Sequence, residues 1–130
     1  MGLFQARIEA LLKAHEQLDR FYSEDHFHVR FEMPGFDRLV IERHQEMISI
    51  AHYFEQNGDL IADPEVELHY PTWTPMAITQ VLGGRREKFI TRDGKQYVDT
   101  RFHREVTSFL KLWGNNIYHQ GWMKKATATV

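Results

Sequence analysis

The chain has 130 residues, no cysteine, a formal net charge of −2, and apolar and charged fractions of 42% and 26%. The length fits one domain with one hydrophobic core, and the composition excludes intrinsic disorder. The lack of cysteine excludes disulfides, thiolate metal sites and cysteine nucleophiles. No signal-peptide pattern or long apolar run is present, so we expect a bacterial cytoplasmic protein without membrane association.

The N-terminal segment is predicted to be an amphipathic helix, because apolar residues recur every three or four positions from Phe4 to Tyr22. The helix is expected to end near residues 23–25. Residues 26–33 then alternate apolar and polar side chains, which indicates a strand with one buried face. Pro34-Gly35 reads as a turn before two further strands at 39–41 and 47–54.

Asn57-Gly58 is the strongest turn signal, because both residues accept the positive φ of a type I′ hairpin turn. We expect Asp63-Pro64 to interrupt pairing and a new strand to cover residues 65–70. A strand at 76–82 and a second hairpin around Asp93-Gly94 follow.

The C-terminal segment is predicted to be a helix that begins near Asp99-Thr100 and ends before Gly121. Gly114 inside it indicates a close packing contact. The order helix, antiparallel strands, helix predicts an α+β fold. We expect a curved antiparallel sheet of five to seven strands, with both terminal helices on one face, in a single domain over residues 1–123 and a frayed tail at 124–130.

The most specific feature is an acidic, histidine-bearing hairpin from His52 to His69. Between Arg43 and Arg85 the chain has no Lys or Arg, which makes this part of the sequence acidic. Its side chains are of types that bind divalent metals, but the spacing matches no recognised metal motif. The alternatives are a solvated acidic turn, a metal site and an acidic surface for a basic partner.

Two further hypotheses concern other side chains. His52 with Glu55 has the composition of a proton-transfer pair, although strand parity places His52 on the core face. Gly83-Gly84 followed by Arg85 and Arg86 could hold a phosphate, or end a strand before a solvated hairpin. Trp73, between two prolines, is either an exposed interface residue or a cap on the end of the sheet.

The segment from Ile50 to Glu65 resembles an uncharacterised bacterial family that is often encoded on plasmids and integrative elements. That family is marked by His-Tyr, Glu-Gln-Asn-Gly-Asp and Asp-Pro-Glu, present here as 52–53, 55–59 and 63–65. The resemblance continues through Trp73-Thr74-Pro75 and the last helix. It implies an accessory protein that acts by binding, and no known activity.

We therefore expect a small non-enzymatic binding protein without a cofactor, which holds a protein partner, preferably a basic one. The alternative is a metal-dependent hydrolase or nuclease that uses residues 52–65. Nucleic acid at Arg85, Arg86 and Lys88, and a homodimer, are further partner alternatives. The candidate binding residues are His52, Glu55, Asn57, Asp59, Asp63, Glu65, Trp73, Arg85 and Arg86.

Overall fold

The computed structural model describes residues 2–130 and contains a seven-stranded antiparallel sheet, a two-stranded hairpin and four helices. The fold class is the α+β arrangement predicted from the sequence. The helices are α1 (Leu3–Ala14), α2 (Leu18–Ser23), α3 (Thr100–Gln120) and α4 (Trp122–Lys125). The strands are β1 (His26–Glu32), β2 (Arg38–His44), β3 (Met47–Gln56), β4 (Asp59–His69), β5 (Thr74–Gln80), β6 (Gly84–Glu87), β7 (Phe89–Arg92), β8 (Lys95–Val98) and β9 (Thr127–Thr129).

The large sheet has the strand order β6-β5-β4-β3-β2-β1-β9, so consecutive strands from β1 to β6 are neighbours. Tight turns join them, as the turn residues predict. β7 and β8 pair only with each other and form the second predicted hairpin. None of the helices in residues 2–130 has the length and apolar character that crossing a membrane requires.

We call the side of the sheet that packs on the helices the inner face. Its central row runs across six strands through Val29, Ile41, Ile50, Val66, Ile78 and Arg86. The first four of these side chains are fully buried, and they join one hydrophobic core with α1 and α3. The alternation in each strand therefore supplies one wall of the core.

Gly114 lies where α3 crosses α1. A Cβ built at this position would come within 3.2 Å of the Phe4 ring and 3.4 Å of the Phe4 backbone. The predicted close contact is therefore present, and glycine at this site lets the two helices approach. At the N-terminus of α3, the Asp99 carboxylate accepts hydrogen bonds from the amides of Arg101 and Phe102 at 3.1 and 3.2 Å.

The N-terminal helix differs from its prediction, because it is two helices separated by a turn in which Glu16 has a φ of 61°. Ala, His, Glu and Gln at 14–17 give no sequence signal for this break. In the structure, the His15 Nε2–H donates to the carbonyl of Trp122 at 2.8 Å. The turn between α1 and α2 is thus accompanied by a hydrogen bond to α4.

The C-terminal residues also differ from the frayed tail expected. Residues 122–125 form α4, and β9 pairs with β1 through Arg30, Phe31 and Glu32. Trp122 is fully buried and faces the ring of Phe36. This buried ring holds the tail against the domain. The polar and small residues that follow it had indicated a frayed tail instead.

Arg43 is a buried cation at one end of the inner face, only 6% exposed. Its guanidinium donates to the carbonyls of Phe21 and Glu24 at 2.8 and 3.2 Å and to that of Gln45 at 3.0 Å. It also lies 3.6 Å from the centre of the Tyr70 ring. Because the end of α2 leaves carbonyls without helical partners, this arginine joins that helix to the sheet.

Candidate functional site

The predicted hairpin is formed by β3 and β4, which pair from Met47↔His69 to Gln56↔Asp59. Asn57 and Gly58 have φ values of 54° and 84°, as the predicted turn requires. β4 continues through Asp63-Pro64, where a register shift replaces the complete interruption that we expected. The hairpin is thus one continuous structure with a bulge near its middle.

His52 lies on the inner face, where its ring contacts two tryptophans. Its centroid is 5.5 Å from that of Trp113 and 5.7 Å from that of Trp122. Its Nδ1–H donates to the carbonyl of Asp37 at 3.1 Å. Burial lowers the pKa of His52 below 6.5, against the opposing effect of this carbonyl. This environment favours a neutral, hydrogen-bonded ring that packs the end of the core.

The carboxylates of the hairpin have separate partners. Glu55 lies 3.2 Å from the Arg38 guanidinium, and Glu65 accepts a hydrogen bond from the Ser49 hydroxyl at 2.7 Å. Asp63 accepts from the Val81 amide at 3.3 Å. Asn57 and Asp59 lie on or beside the exposed turn. These side chains do not converge on one cleft.

The separation of these side chains argues against both the proton-transfer pair and the metal site that were considered for the hairpin. His52 and Glu55 are an odd number of residues apart in one strand, so they project from opposite faces. Across residues 2–130, no three His, Asp or Glu side chains form a group that could hold a metal ion. The hydrolase alternative therefore has no converging ligand set in the part of the chain described.

Trp73 is 6% exposed and packs on Phe21 with the ring centres 5.6 Å apart. It is therefore a cap on the end of the sheet and not the exposed aromatic of the alternative interpretation. Arg85 pairs with Glu67 and Glu87, and Arg86 lies 2.7 Å from Glu105 on α3. Both guanidiniums are thus engaged within the chain.

The surface that sequence reasoning missed is the whole side of the sheet opposite the helices, which we call the outer face. One row of paired residues crosses it through His28, Glu42, Ser49, Glu67, Ala77 and Glu87. The next row contains Arg30, Val40, Ala51, Glu65, Thr79 and Arg85. The alternation of β1 and β4 was the available signal, but only the strand register shows which residues of different strands are adjacent.

The outer face combines small side chains with charged ones. Val40, Ala51 and Ala77 are buried at its middle, whereas the polar side chains around them are half-buried or exposed. Tyr53 lies beside this region, and burial together with the charges of Glu65 and Glu42 raises its pKa. A phenol ring near two carboxylates on an accessible sheet is suited to contact a cationic side chain.

A family model for a domain of unknown function (DUF6908) matches residues 6–123. The chain belongs to this family. No curated protein and no solved structure matches the sequence. The family is one of unknown function, which is consistent with the expected uncharacterised family, and its match begins within α1.

Proposed function

We propose that this member of the DUF6908 family is a non-enzymatic accessory protein that holds a basic protein partner on the outer face of its sheet. The observation that carries the proposal is the outer face itself, a surface of six adjacent strands whose polar side chains remain accessible. Broad sheet faces of this kind offer a preformed surface at low cost in conformational entropy. The dispersed hairpin carboxylates support binding over catalysis.

The charge of the outer face favours a basic partner. Strands β3, β4 and β5 contain no Lys or Arg, so the centre of the face has carboxylates without neighbouring cations from the same strands. The cations on the flanking strands include Arg38, directly opposite Tyr53, and Arg85. Arg38 already pairs with Glu55, and Arg85 with Glu67 and Glu87. Complementary charge of this sort increases the association rate and selects partners.

The proposed binding surface is the outer face of the sheet, whereas the sequence indicated the hairpin from His52 to His69. An inhibitor that occupies a basic site on a host protein is its sharpest form, because such a partner would present several Arg or Lys side chains to Glu42, Glu65 and Tyr53. The resemblance to a family often found on plasmids and integrative elements supports a role in a bacterial mobile element. A cytoplasmic location belongs to the same proposal.

Site-specific photocrosslinking tests the proposal. A photoreactive phenylalanine replaces Met47, which is 38% exposed on the outer face, and in a matched control it replaces Leu112, which is 60% exposed on α3. In nuclease-treated bacterial lysate we expect one basic protein to crosslink from position 47 and not from 112. The yield should fall as salt is raised, because exposed charges are screened.

Charge reversal separates this outcome from non-specific capture. Glu65→Lys on the outer face should remove the crosslink, whereas Glu16→Lys, an equal charge change in the exposed loop between α1 and α2, should retain it. Melting temperatures of both variants show that they are folded. The proposal would be contradicted if positions 47 and 112 crosslinked equally, or if Glu65→Lys left the product unchanged. It would also be contradicted if the product were a second copy of the chain, or if no product formed.

A further inference from the structure

Two histidines form a cross-strand pair at one corner of the outer face. His26 of β1 is the register partner of His44 of β2, and both rings are exposed. Their Nδ1 atoms lie 3.4 Å apart. Neither histidine belongs to the β3–β4 hairpin.

The separation of the two nitrogens is at the long limit of a direct hydrogen bond and also matches two ligands of one cation. Hydrogen bonds from N–H groups span about 2.7–3.2 Å, which is shorter than this distance. Imidazole nitrogens bind zinc at about 2.0–2.1 Å, and two such ligands in a tetrahedral site lie about 3.4 Å apart. The two rings are therefore already separated by the distance that bidentate coordination needs.

Glu42 is the carboxylate nearest to the ring of His44 on the same strand. Its carboxylate lies 3.7 Å from the Nε2 of His44, the ring nitrogen opposite the one that faces His26. It also lies 3.6 Å from the Nε2 of His28. At these distances the carboxylate makes no hydrogen bond to either ring, but it places a negative charge beside the pair, which favours a bound cation.

We propose that His26 and His44 bind one divalent transition-metal ion, Zn²⁺ or Cu²⁺, through their Nδ1 atoms, with the Glu42 carboxylate adding negative charge beside the site. Imidazole suits both ions, and Cu²⁺ binds more tightly to such donors. The protein supplies two ligands, so water occupies the remaining coordination positions. Such a site is open and exchangeable, in contrast to the closed four-ligand sites that support folding.

Calorimetric titration of the purified chain with Cu²⁺ and with Zn²⁺ tests the site. We expect one tight site per chain for the wild type, and loss of that site in His26→Gln and in His44→Gln. Glu42→Gln should retain the site with an affinity lowered by less than about tenfold, because it removes a nearby exposed charge and no ligand. The electron paramagnetic resonance spectrum of bound Cu²⁺ should show coupling to two imidazole nitrogens.

His69→Gln is the matched control, because His69 lies on the same face, where its Nδ1 is 3.1 Å from the Thr72 hydroxyl. This variant should bind metal as the wild type does. The assignment would be overturned if the wild type had no tight site or if His44→Gln bound metal with the wild-type affinity. Loss of the site in His69→Gln would overturn it as well. The titration involves no protein partner, so its result is independent of the crosslinking experiment.

Discussion

The two faces of the sheet are built from the same strands and differ in what a polar side chain does there. On the inner face, Arg43 and His52 are placed among apolar groups, and each donates hydrogen bonds to backbone carbonyls. On the outer face, Glu67 and Arg85 pair with one another while remaining in contact with water. The inner groups therefore join separate elements, whereas the outer groups remain accessible to a partner.

This difference shows that polarity alone does not identify a functional residue. His52 belongs to the most specific motif of the sequence, yet its neighbours are two tryptophans of the core. His26 and His44 belong to no recognised motif, yet their rings meet on an open surface. Burial and hydrogen-bond partners are what distinguish a structural role from a binding role.

The largest effect is expected at Arg43. Arg43→Met removes the donors to several carbonyls of α2 and the following turn, and the cost of leaving such groups unsatisfied should lower the free energy of unfolding by about 3 kcal/mol. Arg38→Met is the matched control on the outer face of the same strand, where Arg38 meets only the exposed Glu55. We expect it to cost less than about 1 kcal/mol. Urea unfolding measures the loss of stability in both variants. Equal losses would contradict the difference between the inner and outer faces.

A smaller, pH-dependent effect is expected at His52. Burial lowers its pKa in the folded chain below the 6.5 of an unperturbed histidine, so the unfolded chain binds a proton first as the pH falls. Stability should be complete above pH 6.5 and decrease as the pH falls through the folded value, by at most about 1.4 kcal/mol per pH unit for one proton. Urea unfolding between pH 7.5 and about 5 measures this slope.

His52→Gln should reduce that slope, because it removes the group that titrates differently in the two states. His69→Gln changes an exposed ring of the outer face and should keep the wild-type slope. A His52→Gln variant with an unchanged pH dependence would show that other groups cause it.

The smallest effect is expected on the outer face at Glu67. Glu67→Gln removes one partner of Arg85, which keeps Glu87, so the free energy of unfolding should fall by about 0.5 kcal/mol or less. The loss should shrink in high salt. Glu87→Gln, which removes the other partner, should behave alike. A loss above about 2 kcal/mol in either variant would show that the pair is a structural element comparable to Arg43.

Local signals in the sequence predicted most of the fold. The Asn57-Gly58 turn, the strand alternation and the start of α3 near Asp99-Thr100 each depend on neighbouring residues, and the structure contains all three. The break at Glu16 and the docked C-terminus were missed, because they accompany contacts between α4 and residues far from it in the chain.

The candidate site was harder to predict than the fold. A hairpin motif identifies which residues are close in sequence, but the partners of Glu55, Asp63 and Glu65 lie in β2, in the turn after β5 and in β3. The pairing of His26 with His44 depends on the register of β1 against β2, which a one-residue slip would change entirely. Alternation predicted the face on which His52 lies, but it could not predict which residues of different strands become neighbours.

The short strands at the two ends of the sheet have a consequence for self-association. β6 has four residues, two of them arginines, and β9 covers three residues of β1, so four residues of that strand remain without a strand partner on this side within residues 2–130. Long unpaired edges are templates on which other chains add and aggregate, while short or charged edges resist this. The last few residues of the chain thus protect the sheet from growing by addition of further copies.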